Sequence, residues 1–308
     1  TDPDASRLES VFFDSIYWML MFFAVAFIVF GIFSSVWIFS FGIFALMLGL
    51  YAGFVEPYWL RVKRYRLALT EYPSVWMRIV FLSDFHAGSY KRKRFYDRVS
   101  SMVASLHPDV IVLGGDLVDE RSVSTKDLSS LQRLRAKDGK FFVLGNHDFL
   151  DDPDALATRL RSWGFEDLTN EARMVEHEGR KICFVGLDDT WQGQPKMGAA
   201  KCEKNAPVIL FVHEPDALLD LAEGSANVIM LGHTHGGQLR LPGIGAVRKL
   251  PQQVPQGLDV GKKAWRGMPV IISAGLGETG ARVRLFCRPE IVVMEVGCGS
   301  RERVDHRR

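Results

Sequence analysis

From Ser15 to Val55 the chain carries no charged residue and no proline, with Asp14 and Glu56 as the flanking charges. Such a run is too long and too apolar for the core helix of a soluble protein. Inside lipid, only helices or closed barrels satisfy their backbone polar groups. At about 1.5 Å of rise per residue, the run is roughly twice what a hydrocarbon layer of about 30 Å requires. Two helices turning back near Gly31-Ile32-Phe33-Ser34-Ser35 fit that length, and one long tilted helix is the other arrangement open. A cleavable leader needs a basic start, a shorter apolar core and a small-residue cleavage site. Here the start is acidic (Asp2, Asp4, Glu9, Asp14), so the segment is expected to stay in the membrane.

Arg61, Lys63, Arg64 and Arg66 follow the run directly. Basic residues this close to a span are retained on the cytoplasmic side, so the remaining chain is expected at the cytoplasmic face. Cys183, Cys202, Cys287 and Cys298 show no close pair and no zinc-ribbon spacing, which matches a reducing compartment. A net charge of +2 at pH 7 gives no electrostatic ground for a nucleic-acid partner. The division expected is an anchor over 1–60, a juxtamembrane linker over 61–77, a folded domain over 78–298 and a polar tail over 299–308.

Within that domain, β-rich apolar runs recur at Arg78–Ser83, Val110–Gly114, Phe141–Leu144, Ile182–Gly186, Val208–Val212, Val228–Leu231, Val270–Ser273 and Ile291–Val296. Helical patterns lie between several of them, over Arg92–Leu106, Thr125–Ala136, Pro153–Trp163 and Pro215–Ala222, with Ser124 and Asp152 as start signals. Alternation early in the chain predicts α/β. The later strands follow one another with less helix between, which predicts a second sheet packed on the first.

Five short clusters begin where such runs end: Asp84-Phe85-His86, Gly115-Asp116 with Asp119, Gly145-Asn146-His147-Asp148, His213-Glu214, and Gly232-His233-Thr234-His235. Carboxylate, amide oxygen and neutral imidazole are the ligands that hard and borderline divalent cations select. Two cations held about 3.5–4 Å apart repel, so a shared anionic ligand is needed, and Asp116 fits that role. Water held between two such ions becomes a nucleophile for in-line attack on phosphorus, with no side-chain nucleophile required. Asp-x-His at an extended strand end puts both side chains on one face, and His233-x-His235 is read the same way. Asp119, Asp148 and Glu214 are candidates to hold the far nitrogens of the imidazoles.

In this order the clusters resemble the calcineurin-like metallophosphoesterase superfamily over roughly Arg78 to Val296. Glu56-Pro57, Gly236-Gly237-Gln238, Gly275-Leu276-Gly277 and Arg288-Pro289-Glu290 are similar to its membrane-anchored bacterial branch, which includes enzymes that split UDP-2,3-diacylglucosamine in lipid A assembly. The resemblance implies an α/β fold, a two-sheet αββα sandwich, here behind an N-terminal transmembrane hairpin. It also implies two divalent ions (Mn²⁺, Fe²⁺ or Zn²⁺). Asp84, His86, Asp116 and His235 would bind one ion; Asp116, Asn146, His213 and His233 would bind the other. His147 would contact the phosphoryl group and protonate the leaving oxygen.

A tethered hydrolase of phosphoesters or pyrophosphates at the inner membrane, acting on a lipid-linked or nucleotide-linked phosphate, is therefore expected. A broader phosphodiesterase or phosphatase, or an inactive membrane scaffold of the same fold, are the alternatives. Lys91-Arg92-Lys93-Arg94 could meet phosphate or anionic headgroups. Asp188, Asp189, Trp191 and Trp265 are assigned no ligand role, and His107, His177 and His306 no role at all.

Overall fold

The computed structural model describes residues 3–71, 73–88, 90–119, 125–150, 152–196, 202–247, 253–254 and 257–299. Ser124, His306, most of the polar tail and part of the 241–263 loop lie outside the described residues. The apolar run forms two helices, α1 (Pro3–Ser34) and α2 (Val36–Leu50). Both are long and apolar enough to cross a membrane, α2 being extended as far as Tyr58 by a π turn and a 3-10 turn. The break falls at Ser35, whose extended backbone and hydroxyl, accepting from Trp37 N, cap the second helix. The helices then pack closely. A Cβ on Gly42 would lie 2.8 Å from Ile28, so only glycine allows this approach. Two apolar helices meeting at a capped break could form a transmembrane hairpin.

The residues expected as a linker are instead structured. Arg61–Ala68 forms β1, paired in parallel with the last strand, β14 (Glu290–Cys298). The signal was masked because β1 is an edge strand with basic residues, and these find local partners. Arg61 pairs with Glu290 at 2.8 Å, and Arg66 stacks on Trp76 at 3.8 Å.

Between them run β2 (Val75–Leu82), α3 (Lys93–Ser105), β3 (Val110–Gly114), β4 (Gly139–Val143), α4 (Pro153–Ser162), β5 (Glu166–Asp167), β6 (Ala172–His177) and β7 (Arg180–Gly186). Then follow β8 (Val208–Phe211), β9 (Val228–Leu231), β10 (Arg240–Leu241), β11 (Gly245–Ala246), β12 (Gly261–Trp265) and β13 (Met268–Ile272). Two six-stranded sheets result, ordered β1-β14-β2-β3-β4-β5 and β12-β13-β9-β8-β7-β6. The inner strands β2, β3 and β4, and β7, β8, β9 and β13, pair in parallel.

Period-two alternation decides which face each side chain takes. On β2, Met77, Ile79 and Phe81 enter the layer between the sheets, with Phe184, Phe211, Met230 and Met294. Val80 and Leu82 point the other way, under α3 and α4. Phe81 stacks on Phe211, and burial of one such ring contributes about 1.5–3 kcal/mol. The outer face of the second sheet carries Val212, Ile229, Leu231 and Ile272, covered by Ala217 and Leu218.

The expected αββα sandwich is thus present, with two of its helices tightened. Thr125–Arg133 and Pro215–Asp220 are 3-10 turns. Asp152 caps α4 as expected, accepting from Ala155 N at 2.9 Å. His177, given no role, has Nδ1 2.5 Å from Asp138 Oδ2, an acceptor, and so ties the edge of the second sheet to the loop before β4.

One cysteine expectation is overturned: Cys183 on β7 and Cys202 in the following loop form a disulfide. They lie 19 positions apart in sequence, and the chain after Cys202 returns to β7, where Cys183 N donates to Pro207 O at 2.8 Å. Sequence spacing carried no trace of that return. Cys287 and Cys298 are free and buried.

Candidate metal centre

Each cluster sits just beyond the carboxyl end of a parallel strand: Asp84 after β2, Asp116 after β3, Asn146 and His147 after β4, His213 after β8, and His233 and His235 after β9. The two sheets are stitched together at this edge. His213 Nδ1 meets Gly114 O at 2.7 Å, and His233 N donates to Asp84 Oδ1 at 2.7 Å. Asp148 braces the loops from below, accepting from Leu117 N at 2.7 Å, Val118 N at 3.2 Å and Gly145 N at 3.0 Å.

All eight predicted residues converge, although not by strand alternation. Asp84, His86, Asp116, His233 and His235 all have positive φ, between 44° and 66°. Left-handed backbone is costly for such residues and persists where surrounding structure enforces it. Asp84-x-His86 and His233-x-His235 therefore aim their side chains through tight turns past the strand ends, a correction to the extended geometry expected.

Two ligand groups emerge. Asp84, His86, Asp116 and His235 bring their donor atoms within 4.8 Å of one another, and so do Asp116, His213 and His233. Asp116 belongs to both. Its Oδ2 lies 3.0 Å from His213 Nε2 and 3.5 Å from His86 Nε2, while Oδ1 accepts from His147 N at 2.9 Å. Asn146 joins the second group through Oδ1, 3.1 Å from His233 Nδ1. In the first, His86 Nε2 and His235 Nε2 face each other at 3.0 Å.

The donor set fits divalent cations. Asp84 Oδ2 and His233 Nε2 are buried with no hydrogen-bond partner among the described residues. An orphaned buried acceptor is costly, and a cation in each group would satisfy one of them, Asp84 Oδ2 in the first and His233 Nε2 in the second. Burial pushes the His233 pKa down to about 3 and holds His235 well below the usual range, keeping both imidazoles neutral. His213 goes the other way: burial lowers its pKa, but Asp116 outweighs that and raises it well above the ordinary value. Cation binding there is consequently linked to loss of a proton.

Of the three carboxylates expected behind the ligands, Asp119 alone takes that place. It lies 2.8 Å from His86 Nδ1 and 3.0 Å from His147 Nδ1, fixing a ligand and the candidate acid together. Asp148 braces loops, and Glu214 accepts from Thr190 N and Oγ1 instead. His147 differs from the other imidazoles here in exposure: 15% of its side chain is open, against 0% for His86 and His213. It is the ring that reaches outward.

The basic run splits. Lys91 is buried, 2.6 Å from Glu278, and Lys93 pairs with Asp97 at 2.7 Å, so neither is a free phosphate contact. Sequence reasoning missed that Glu278 also holds Arg284 at 2.9 Å, and that Arg284 NH2 reaches Gly277 O, the carbonyl 3.3 Å from His235 Nδ1. Glu278 directly follows the Gly275-Leu276-Gly277 motif, the one signal available.

The profile of the family described as "Calcineurin-like phosphoesterase" matches residues 77–237, which spans every cluster but only part of the second sheet. The chain belongs to this family. The phosphoesterase is 29% identical over 251 residues to "Phosphodiesterase YaeI" of Escherichia coli, covering 80% of this chain and 92% of that one. It is 27% identical over 227 residues to "Uncharacterized metallophosphoesterase YkoQ" of Bacillus subtilis, covering 71% and 83%. A zebrafish "Transmembrane protein with metallophosphoesterase domain" is 32% identical over 179 residues, covering 53% of this chain and 41% of its own length.

Proposed function

We propose that this phosphoesterase is a membrane-anchored, two-metal hydrolase of a phosphodiester or pyrophosphate on a lipid-linked substrate. One observation carries the two-metal reading: Asp116 Oδ2 lies between the imidazoles of both ligand groups, 3.0 Å from His213 and 3.5 Å from His86. Asp84, His86, Asp116 and His235 would hold one divalent cation, and Asp116, Asn146, His213 and His233 the other. When bound, such a pair supplies Lewis acidity toward the phosphoryl oxygens and a water of lowered pKa.

The chain's own groups do the rest. His147, oriented by Asp119, holds a proton for the leaving oxygen. In the metal-free chain burial lowers its pKa, but Asp116 and Asp119 outweigh that and raise it to about 9; cations held by Asp116 would draw it back down. Asp119 fixes both rings, so proton donor and ligand keep a constant separation. The presence of every ligand together with His147 argues against an inactive scaffold.

A substrate held in the same bilayer as the anchor meets the site at raised effective concentration, which favours lipid over soluble esters. The specific reading is UDP-2,3-diacylglucosamine, split to the lipid monophosphate and UMP. Detergent-solubilised protein with Mn²⁺ should release UMP from it. Cleavage of an aryl phosphodiester with no UMP formed would retire that substrate and leave the hydrolase class standing.

The basic residues after the anchor support a cytoplasmic orientation at the inner membrane. The Cys183–Cys202 disulfide favours the opposite face, since such bonds persist in oxidising compartments. A membrane-impermeant maleimide separates the two. An engineered Glu178→Cys labelled only after lysis supports the cytoplasmic face, and labelled in intact spheroplasts the other.

A further inference from the structure

Beyond Trp59, four large apolar side chains among the described residues are exposed: Leu241, Ile244, Val247 and Phe286. Scattered apolar exposure is ordinary, but these four share one bracket. Leu241 and Ile244 belong to the β10–β11 hairpin, which Val247 closes by donating to Leu239 O at 2.8 Å. Phe286 sits on the neighbouring segment, tied to the hairpin by Arg240 N to Leu285 O at 2.9 Å and Leu285 N to Gln238 O at 3.0 Å. Phe286 has φ of +53°, a conformation a bulky residue adopts only under constraint, and its ring is left outside the fold.

The bracket is continuous with the anchor. Leu239, Ala281 and Leu285 pack against a cluster of Tyr17, Met21, Ala52 and Val283, and Arg284 N donates to Ala52 O at 2.9 Å. Tyr17 lies three residues inside Asp14, and Ala52 four inside Glu56. At the helical rise these contacts sit about 4–6 Å into the apolar span. Interfacial apolar groups reach about 5–10 Å below the headgroups, the same level. Trp59, with Arg288 stacked on it at 4.2 Å, and Asp14, with Arg282 at 3.7 Å, mark the polar boundary beside it.

We propose that the β10–β11 hairpin and Phe286 form a second membrane contact, dipping into the bilayer interface beside the anchor. This deepens, and rests on, the membrane-anchored reading above. Gln238 joins the contact to the site: it follows His235 by three residues, and its side chain meets Thr279 O at 2.8 Å and Thr279 N at 3.1 Å. The loop carrying His233 and His235 is thereby held beside the headgroup layer, where a lipid-linked phosphate lies.

Full-length protein in phosphatidylcholine and phosphatidylglycerol liposomes tests this, with an environment-sensitive fluorophore on Ile244→Cys, Val25→Cys or Glu178→Cys. Val25 reports α1, and Glu178 lies in the turn at the far edge of the second sheet. A nitroxide lipid labelled near the headgroup should quench the Ile244 site about threefold more than the Glu178 site, and aqueous iodide the reverse. Iodide quenching of Ile244 equal to Glu178 overturns the contact while a deep-nitroxide signal at Val25 keeps the anchor. Protection of Ile244 from both quenchers assigns the patch to a second copy and also overturns it. No deep-nitroxide signal at Val25 removes the anchored reading and this contact with it.

Discussion

Replacing Gly145 by alanine adds one methyl where the site has no room for it. A Cβ built there lies 2.4 Å from Asp116 Oδ1, 2.7 Å from Asp116 N and 2.7 Å from His213 Cδ2. Ordinary contact begins near 3.4 Å, so the Asp116 carboxylate and the Gly145 loop must part by about 1 Å. Two bonds resist: His147 N to Asp116 Oδ1 at 2.9 Å and Gly145 N to Asp148 Oδ2 at 3.0 Å. A 1 Å misplacement of a catalytic group costs on the order of 100-fold in rate. That corresponds to about 2.7 kcal/mol of barrier. Turnover of bis-p-nitrophenyl phosphate at saturating Mn²⁺, with unfolding followed in parallel, reads the effect. Gly224→Ala is the control: its φ of +72° makes alanine strained there and should lower stability, but nothing lies within 4 Å of its Cβ, so the folded protein should keep turnover. Gly145→Ala turnover within about twofold of wild type would refute the claim that Asp116 must sit where it does.

Three further outcomes follow from the same geometry. Asp119→Asn keeps the shape but removes the charge behind His86 and His147, so metal affinity should fall about 10–100-fold by calorimetric titration; an unchanged titration would separate Asp119 from the ligands. In metal-stripped protein, the raised His147 pKa means its stabilising charge is fully present below about 6.5 and lost as pH rises through about 9. The melting-temperature gap between wild type and His147→Gln should therefore narrow over that window; a gap that widens contradicts the assignment. Cys202→Ser opens a loop closed over 19 residues, and the urea midpoint should drop by the equivalent of up to about 3 kcal/mol. A midpoint insensitive to both this change and reductant would show that the bridge adds nothing.

The site was legible because its chemistry is written in contiguous clusters of residue types at strand ends, and chain order alone placed them. How those clusters converge was not. Period-two reasoning put Asp84 and His86 on one strand face, whereas positive φ at both, imposed by bonds from Asp84 N to Gly115 O and His86 N to Asp116 O, aims them. Such angles are set by contacts between loops far apart in sequence. The same holds for β1, whose basic residues read as a membrane-flanking signal until Glu290 and Trp76 supply partners. Lys91 looked like a phosphate contact because its acceptor, Glu278, lies 187 residues away. The Cys183–Cys202 bridge was hidden for a related reason, since loop return leaves no periodic mark.

Metal stoichiometry tests the shared-carboxylate account most directly. Protein purified without chelator and loaded with Mn²⁺ should hold two ions per chain by elemental analysis and give the spin-coupled resonance of a close pair. Asp116→Ala should lose that coupling, retain at most one ion and lose hydrolysis. Two coupled ions and undiminished turnover in Asp116→Ala would contradict the account.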